Sequence, residues 1–366
     1  MWPDRRLCEL FSIEHPIVQA PMAGSATPEL ASAVCNAGGM GSLGCQAMTP
    51  DAVRAAAGQM RAATNRPFNL NFFVHDAPQT DPATLALARA RLQPWYDALG
   101  LGPVPTALPA LAPGFDAERL ALMLALRPAV VSFHFGVPDA LAIAALKGAG
   151  ILLISTATTV AEARALEAAG MDAIIAQGWE AGGHRGSHRV TGPDEGVGTF
   201  ALVPQVVDAV RLPVIAAGGI GDGRGIAAAI ALGAAGVQMG TAFLSCPEAA
   251  TDAARRAMLR RANDTDTTVT DAFSGRVARA VRSPFAEEMD RAREPLPGFQ
   301  QMYALTDPLL AAGRDDVASF HLYGQAAGLN LDLPAAGLLR LLVEETAVAL
   351  ARLSGSPASS ARKLAP

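Results

Sequence analysis

Eight short apolar runs recur along the chain at a nearly regular beat, and that rhythm limits its fold more than any other feature. They are PIVQAP (16–21), GGMGSLG (38–44), FNLNFF (68–73), AVVSFHF (129–135), ILLISTA (151–157), AIIAQG (173–178), PVIAAGG (213–219) and GVQMGTAF (236–243). Each is brief and mostly apolar, as parallel strands covered on both faces should be. Helical patterns fill the gaps. PELASAVCNAG follows the first run, and TPDAVRAAAGQMRAAT the second, with Thr49 as N-cap and Pro50 at the first helical position. VPDALAIAALKGAG, TTVAEARALEAAG and GRGIAAAIALGAAG carry apolar residues at helical spacing and end in glycine. Eight strand-then-helix units predict an α/β chain folded as a (β/α)8 TIM barrel. An open doubly wound sheet, which usually has fewer strands, is the runner-up.

Two segments break the beat. Residues 74–115 are proline-rich and too long for one loop, and residues 245–335 follow the eighth run. Long excursions at the strand ends of a barrel serve as lids or substrate walls. The expected division is therefore a barrel over 1–244 carrying the excursion 74–115, then a smaller, mostly helical covering segment over 245–335. A closing helix and a frayed tail take up 336–366.

Hydrophobic residues make up 51% of the chain and charged residues 17%, which supports a large core and excludes disorder as the ground state. A net charge of -5 gives no electrostatic case for nucleic acid. The cysteines at 8, 35, 45 and 246 have no C-x-x-C spacing, so neither a zinc site nor a disulfide framework is expected, and a reducing cytoplasm fits. The N-terminus lacks the apolar core of a signal peptide, and runs such as ILLIS are far too short to cross a bilayer.

The chemistry-bearing residues gather at the ends of the strand candidates. PAVVSFHFG (128–136) ends its run with His134 between two phenylalanines. A regular strand would turn Phe133 and Phe135 into the barrel–helix layer and His134 inward, near the reactive end of the fold. A histidine packed against a neighbouring strand is the alternative. In FNLNFF, Asn69 and Asn71 share one face, and Asn71 lies nearer the strand's carboxyl end. After the sixth run, Gln177 could present its amide to a flat heterocycle. Gly182 and Gly183 would permit close backbone approach there, while His184 is open between ligand, base and packing residue. Gly218 and Gly219 remove side chains where a barrel commonly binds phosphate, and QMGT sits within the next run. Pro21-Met22-Ala23-Gly24 offers a low-bulk turn against which a flat ring could lie. GRGIAA (223–228) matches a dinucleotide fingerprint only by chance, because it does not sit in the first strand–helix turn. The basic cluster RRAMLRR (255–261) reads as a solvated helix face, and His15, His75, His188 and His321 as mostly surface residues.

Taken together, PIVQAPMAG, FNLNFF, SFHFG, AQGWEAGGHRG, PVIAAGGIGDGRGIAAAIALGAAGVQMGTAFL, TDAFSGRVAR and GQAAGL resemble the nitronate monooxygenases, formerly called 2-nitropropane dioxygenases. The likeness covers nearly the whole chain. It implies FMN on a TIM barrel and oxidation of alkyl nitronates by O2, with propionate 3-nitronate as a natural substrate. SFHFG is similar to the motif of the branch with a catalytic histidine, which puts that role on His134. By the same likeness Asn71, Gln177, Gly182, Gly219, Gln238, Met239, Gly240 and Thr241 contact FMN, and Met22 and Ala23 back its ring. That branch also carries tyrosines near the flavin; this chain has Tyr96, Tyr303 and Tyr323. The implied partners are a small nitronate and O2, with no nucleic acid or membrane, and an oligomer is left open. Two further readings keep the barrel: an FMN-dependent NAD(P)H reductase of quinones or enoyl thioesters, and a non-catalytic flavin-binding barrel.

Overall fold

The computed structural model describes residues 2–192 and 195–354. From residue 355 onward, the tail expected to fray lies outside them. In chain order the strands are β1 (Ile17–Gln19), β2 (Gly41–Gly44), β3 (Phe68–Phe73), β4 (Val130–His134), β5 (Leu152–Ala157), β6 (Ala173–Gln177), β7 (Gly183–His184), β8 (Val214–Ala217), β9 (Gly236–Met239), β10 (Thr267–Thr270) and β11 (Ala278–Val281).

Eight of these form one parallel sheet in the order β1-β9-β8-β6-β5-β4-β3-β2. Its two edges meet at a parallel bridge between Val18 and Met40, where Gln19 N donates to Met40 O at 2.8 Å and Met40 N to Ile17 O at 3.0 Å. The sheet therefore rolls into the expected barrel, and each apolar run supplies one strand. The last run is not extended throughout: β9 stops at Met239, and Thr241–Phe243 forms a 3-10 turn.

Side-chain parity sorts the core into two layers. Ile17, Val131, Phe133, Leu153, Ile174, Val214 and Val237 pack outward against the helices. Val18, Val130, Ile154, Ile175 and Ile215 point inward and meet Leu7, Cys8 and Phe11, which plug the amino-terminal end. This is the two-residue period of a strand made visible by burial.

The helices start where the sequence says they should. Thr27, Thr49, Asp139, Thr159 and Asp222 each cap a barrel helix by accepting from a backbone N–H of its first turn, and Pro50 occupies the first helical position after Thr49. The chain leaves several of them through a left-handed glycine, as at Gly150, Gly170 and Gly233. The long helix Ala335–Leu353 packs on Gly223–Ala231. Gly223 opens the latter helix because a Cβ there would strike Glu345 and the backbone of Thr346. The glycines of GRGIAA thus have a packing reason.

The two excursions share one core of their own. Ala88, Leu92 and Tyr96 from the first pack with Phe273, Phe285, Met302 and Leu305 from the second, and Tyr96 Oη donates to Leu305 O at 2.7 Å. β10 and β11 pair antiparallel, and β11 pairs in turn with β7. The second excursion is thereby stitched to the loop that leaves β6. Among the described residues no helix is long and apolar enough to cross a membrane.

Two glycine substitutions separate packing from helix propensity. Gly223→Ala should destabilise the protein by about 1–3 kcal/mol through overpacking. Gly58→Ala, in an exposed helical position with open space around its Cβ, should stabilise it by roughly 0.5–1 kcal/mol. Urea unfolding of both variants against the parent checks the opposite signs.

Candidate active site

Along the inward faces of the strands, apolar side chains give way to polar ones toward the carboxyl ends. Val130 is followed by Ser132 and His134 on β4, Ile154 by Thr156 on β5, and Ile175 by Gln177 on β6. His134, Thr156 and Gln177, with Asn71 of β3 and Gln238 of β9, line one cleft at the barrel mouth. Every expected site residue reaches this cleft. Met22 and Ala23 come from the turn after β1, Gly182 and Gly183 from the loop after β6, Gly218 and Gly219 from the end of β8, and Met239, Gly240 and Thr241 from the end of β9.

His134 is held from both sides. Its Nε2 lies 3.0 Å from the carbonyl oxygen of His184, and its Nδ1 lies 3.0 Å from Thr156 Oγ1. A carbonyl only accepts, so Nε2 carries the proton and Nδ1 accepts from the threonine hydroxyl. The ring is half-buried by area because one side faces the cleft, and protein surrounds it everywhere else. That desolvation, reinforced by the nearby Arg276, His188 and Arg185, pulls its pKa down to about 4; the bond to His184 opposes the shift. The imidazole is therefore neutral at ordinary pH.

The His184 carbonyl also accepts from Gln177 Nε2 at 3.1 Å, while Gln177 Oε1 accepts from Gly186 N at 2.7 Å. The Gln177 amide is thus spent on fixing the loop that supports His134. Gly182 and Gly186 are required by close approach. A Cβ on Gly182 would run into the backbone of Tyr323 and Gly324, and one on Gly186 would come within 2.6 Å of His134 Cε1. The partner of Gly182 is therefore protein backbone. Asn69 ties Ser42 to Ser132, as a strand-to-strand amide should, whereas Asn71 bonds Ser132 and also lines the cleft.

At the other end of the cleft lie groups without partners. Among the described residues the backbone N–H groups of Gly218, Gly219, Gly240 and Thr241 donate to no protein acceptor. Gly218 and Gly219 have φ of +100° and +72°, a conformation that favours glycine. Gln238 Oε1 is buried with no hydrogen bond. A buried, unpaired acceptor such as Gln238 Oε1 is rare and calls for a ligand, and the N–H groups of half-buried Gly218, Gly240 and Thr241 and of exposed Gly219 stand open to the same cleft. Here they fit an anion at the N–H groups and a ring N–H at Gln238, which are the features of a flavin nucleotide.

Several residues sit where the sequence reading did not put them. Phe135 does not join the barrel–helix layer with Phe133. β4 ends at His134, Phe135 turns to φ +74°, and its ring packs on Phe73, Phe299 and His184 under the guanidinium of Arg276, 3.7 Å from the ring centre. His184 points into these rings, bonds Ser274 through Nε2 at 2.9 Å, and is pushed down to about 3, mainly by burial. His188 and His321 are half-buried and bonded, to Thr156 O and Asp315 respectively, and are not surface residues. The RRAMLRR cluster divides. Arg260 and Arg261 face solvent, Arg256 clamps the carbonyls of Ser245, Cys246, Ala249 and Thr251, and Arg255 lines the cleft. Of the tyrosines, Tyr96 is deep in the excursion core, Tyr323 is buried, and Tyr303 is partly exposed beside Phe320.

The chain is similar to proteins of more than one kind. A family model described as nitronate monooxygenase matches residues 4–345. A nitronate monooxygenase of Paraburkholderia phytofirmans is 47% identical over 348 residues, covering 93% of this chain and 94% of that protein. One from Pseudomonas aeruginosa is 44% identical, covering 93% and 98%. Among solved structures, a nitroalkane oxidase from Streptomyces ansochromogenes superposes with a TM-score of 0.85 at 39% identity, covering 95% of this chain and 99% of that one. FabK from Thermotoga maritima superposes with a TM-score of 0.74 at 34% identity, covering 96% of this chain and 98% of that one.

The depressed pKa of His134 has a consequence for stability. The unfolded chain takes up a proton near the ordinary value of 6.5, and the folded ring only near 4. Stability should be complete above pH 6.5 and fall as the pH drops toward 4. Urea unfolding across that range should show the loss, and a His134→Gln variant should show a shallower slope.

Proposed function

The chain belongs to the nitronate monooxygenase family, and from that premise we propose that it is an FMN-dependent enzyme oxidising alkyl nitronates, such as propionate 3-nitronate, and nitroalkanes with O2. The reading rests on one juxtaposition. A neutral imidazole, His134, shares a cleft with the unpaired N–H groups of Gly218, Gly219, Gly240 and Thr241.

In this reading those N–H groups hold the FMN phosphate, Gln238 and Asn71 meet the ring edge, and Met22, Ala23 and Met239 back the ring. Gln177, Gly182 and Gly183 shape the adjoining loop. Bound there, FMN supplies the electron acceptor and the reaction with O2, chemistry that belongs to the cofactor.

The protein's own contribution is position and one proton. In a nitroalkane, the C–H bond next to the nitro group breaks, its electron pair moves onto the nitro oxygens, and the proton passes to a base. Nε2 of His134 is committed to the His184 carbonyl. The proton therefore goes to Nδ1, once the Thr156 hydroxyl turns aside. A nitronate arrives without that proton, and the imidazole then orients its nitro group. Phe73, Phe135 and Phe299 keep the surroundings apolar and exclude water. The segment 245–335, sharing its core with part of 74–115, covers the mouth. Four buried, unpaired cysteines are in keeping with a reducing cytoplasm.

Oxygen uptake with a nitronate in the absence of NADH tests the reaction class. Flavin bleaching by NADH without that uptake would assign a reductase instead. His134→Asn should lower nitroalkane turnover by about 10²–10⁴-fold while FMN stays bound, as read from the visible spectrum. Undiminished turnover would remove the proton-accepting role.

A further inference from the structure

Arg255 is the one arginine or lysine among the described residues that line the cleft. It sits in the first turn of the helix Ala253–Arg261, half-buried. Its Nε donates to His321 Nδ1 at 3.0 Å and its Nη1 to Ser25 Oγ at 3.0 Å, while His321 Nε2 is fixed by Asp315 Oδ2 at 3.0 Å. Nη2 donates to no protein acceptor, and no carboxylate lies within 4.0 Å of the guanidinium among the described residues. The cleft's own carboxylate, Glu180, cannot serve, because its oxygens accept from the N–H and the hydroxyl of Thr199. Asp252 and Asp315 act on it only from a distance, and a partly desolvated cation with no carboxylate in contact is suited to a ligand that brings negative charge. Burial already weakens this guanidinium's hold on its proton.

An anion in this cleft has two sources, the cofactor phosphate and the substrate. The unpaired N–H groups at the ends of β8 and β9 already suit the phosphate. Arg255 enters the cleft beside Ser25 of the turn after β1. Its partner His321 follows Phe320, whose ring packs on Tyr303 at 6.2 Å and on His184 at 5.9 Å, and the His184 carbonyl holds His134. Its neighbours therefore belong to the substrate side.

Building on the reading given under Proposed function, we propose that Arg255 is the specificity-determining counter-charge that makes the site favour an anionic nitronate over the neutral nitroalkane. The planar fork suits the two oxygens of a nitronate, which carry most of its charge. A neutral nitro group gains far less from it. The two substrates thus lean on different residues: the nitroalkane needs the imidazole to take its proton, and the nitronate needs the guanidinium.

The test uses the full chain loaded with FMN, with ethyl nitronate and nitroethane compared by oxygen uptake. Arg255→Met should raise KM for ethyl nitronate by about tenfold or more and change KM for nitroethane by less than about twofold, with flavin content unchanged. Arg255→Lys should recover part of the nitronate affinity. On the unaltered enzyme, nitrate should compete more strongly against ethyl nitronate bound at Arg255 than chloride at equal ionic strength, and this difference should vanish in Arg255→Met. Should Arg255→Met fail to fold, Arg255→Lys and the nitrate comparison still decide. Equal effects on both substrates, or nitrate indistinguishable from chloride, overturn the proposal. So does loss of flavin from the folded variants, which would place the guanidinium on the phosphate. His134→Asn has the opposite signature, a loss larger for nitroethane than for ethyl nitronate, so a failure of the base assignment is separable from a failure here.

Discussion

A single carbonyl oxygen, that of His184, accepts from both His134 and Gln177, and the order of the cleft depends on it. The loop carrying it belongs to no barrel strand. It is anchored on one side by these two inward side chains and on the other by the pairing of Gly183 and His184 with β11. The same bond selects the imidazole tautomer and leaves Nδ1 as the nitrogen with a lone pair. Two glycines of the loop are set by contacts within the protein. Gly182 clears the Tyr323 backbone, and Gly186 clears the imidazole itself. A side chain at either position would push the carbonyl away from the two donors it satisfies.

The barrel makes such convergence cheap. Because the eight strands are parallel, their carboxyl ends open at one rim, and because side chains alternate, each strand gives that rim one inward residue. Below it the interior is filled by Val18, Val130, Ile154, Ile175 and Ile215, so it is dry. Polar groups buried at the rim must then find partners or wait for a ligand. Asn69, Ser42 and Ser132 satisfy one another except at Asn69 Oδ1. Gln238 Oε1 and the N–H groups after β8 and β9 do not.

What could be read from the sequence follows from range. The eight strands were legible because burial on both faces makes them continuous apolar runs, and their helices because caps such as Thr49 and left-handed glycines such as Gly170 act locally. The rim residues were legible because parity and strand ends locate them: Asn71, His134, Gln177 and Gln238 all fall where a two-residue period puts them. Arg255, Phe299 and Phe320 were not. Their approach to the cleft depends on how two excursions, far apart in sequence, share one core, and nothing within their own segments records it. Phe135 was misplaced for a related reason. The strand was continued one residue too far, past the point where φ turns positive and the ring swings toward His184 and Phe299. His188 and His321 were likewise assigned to the surface because loops usually lie there, although both fold back to hold elements of the rim.

The electrostatics of the rim have a single sense. Arg276 and Arg185 lower the proton affinity of His134, Arg255 has no carboxylate within 4.0 Å among the described residues, and burial weakens the proton hold of all three guanidinium groups. Taken alone, this surround makes the imidazole a poor base. On the proposed reading, however, the proton leaves a carbon acid and creates an anion beside the same cations. The field that raises the energy of the imidazolium lowers that of the nitronate formed with it. Transfer from carbon to Nδ1 therefore costs less than a pKa near 4 suggests, because acid and base feel the positive potential with opposite signs. A carboxylate placed beside His134 would strengthen the base and repel its product. Among the described residues lining the cleft the one carboxylate is Glu180, and it is turned onto Thr199.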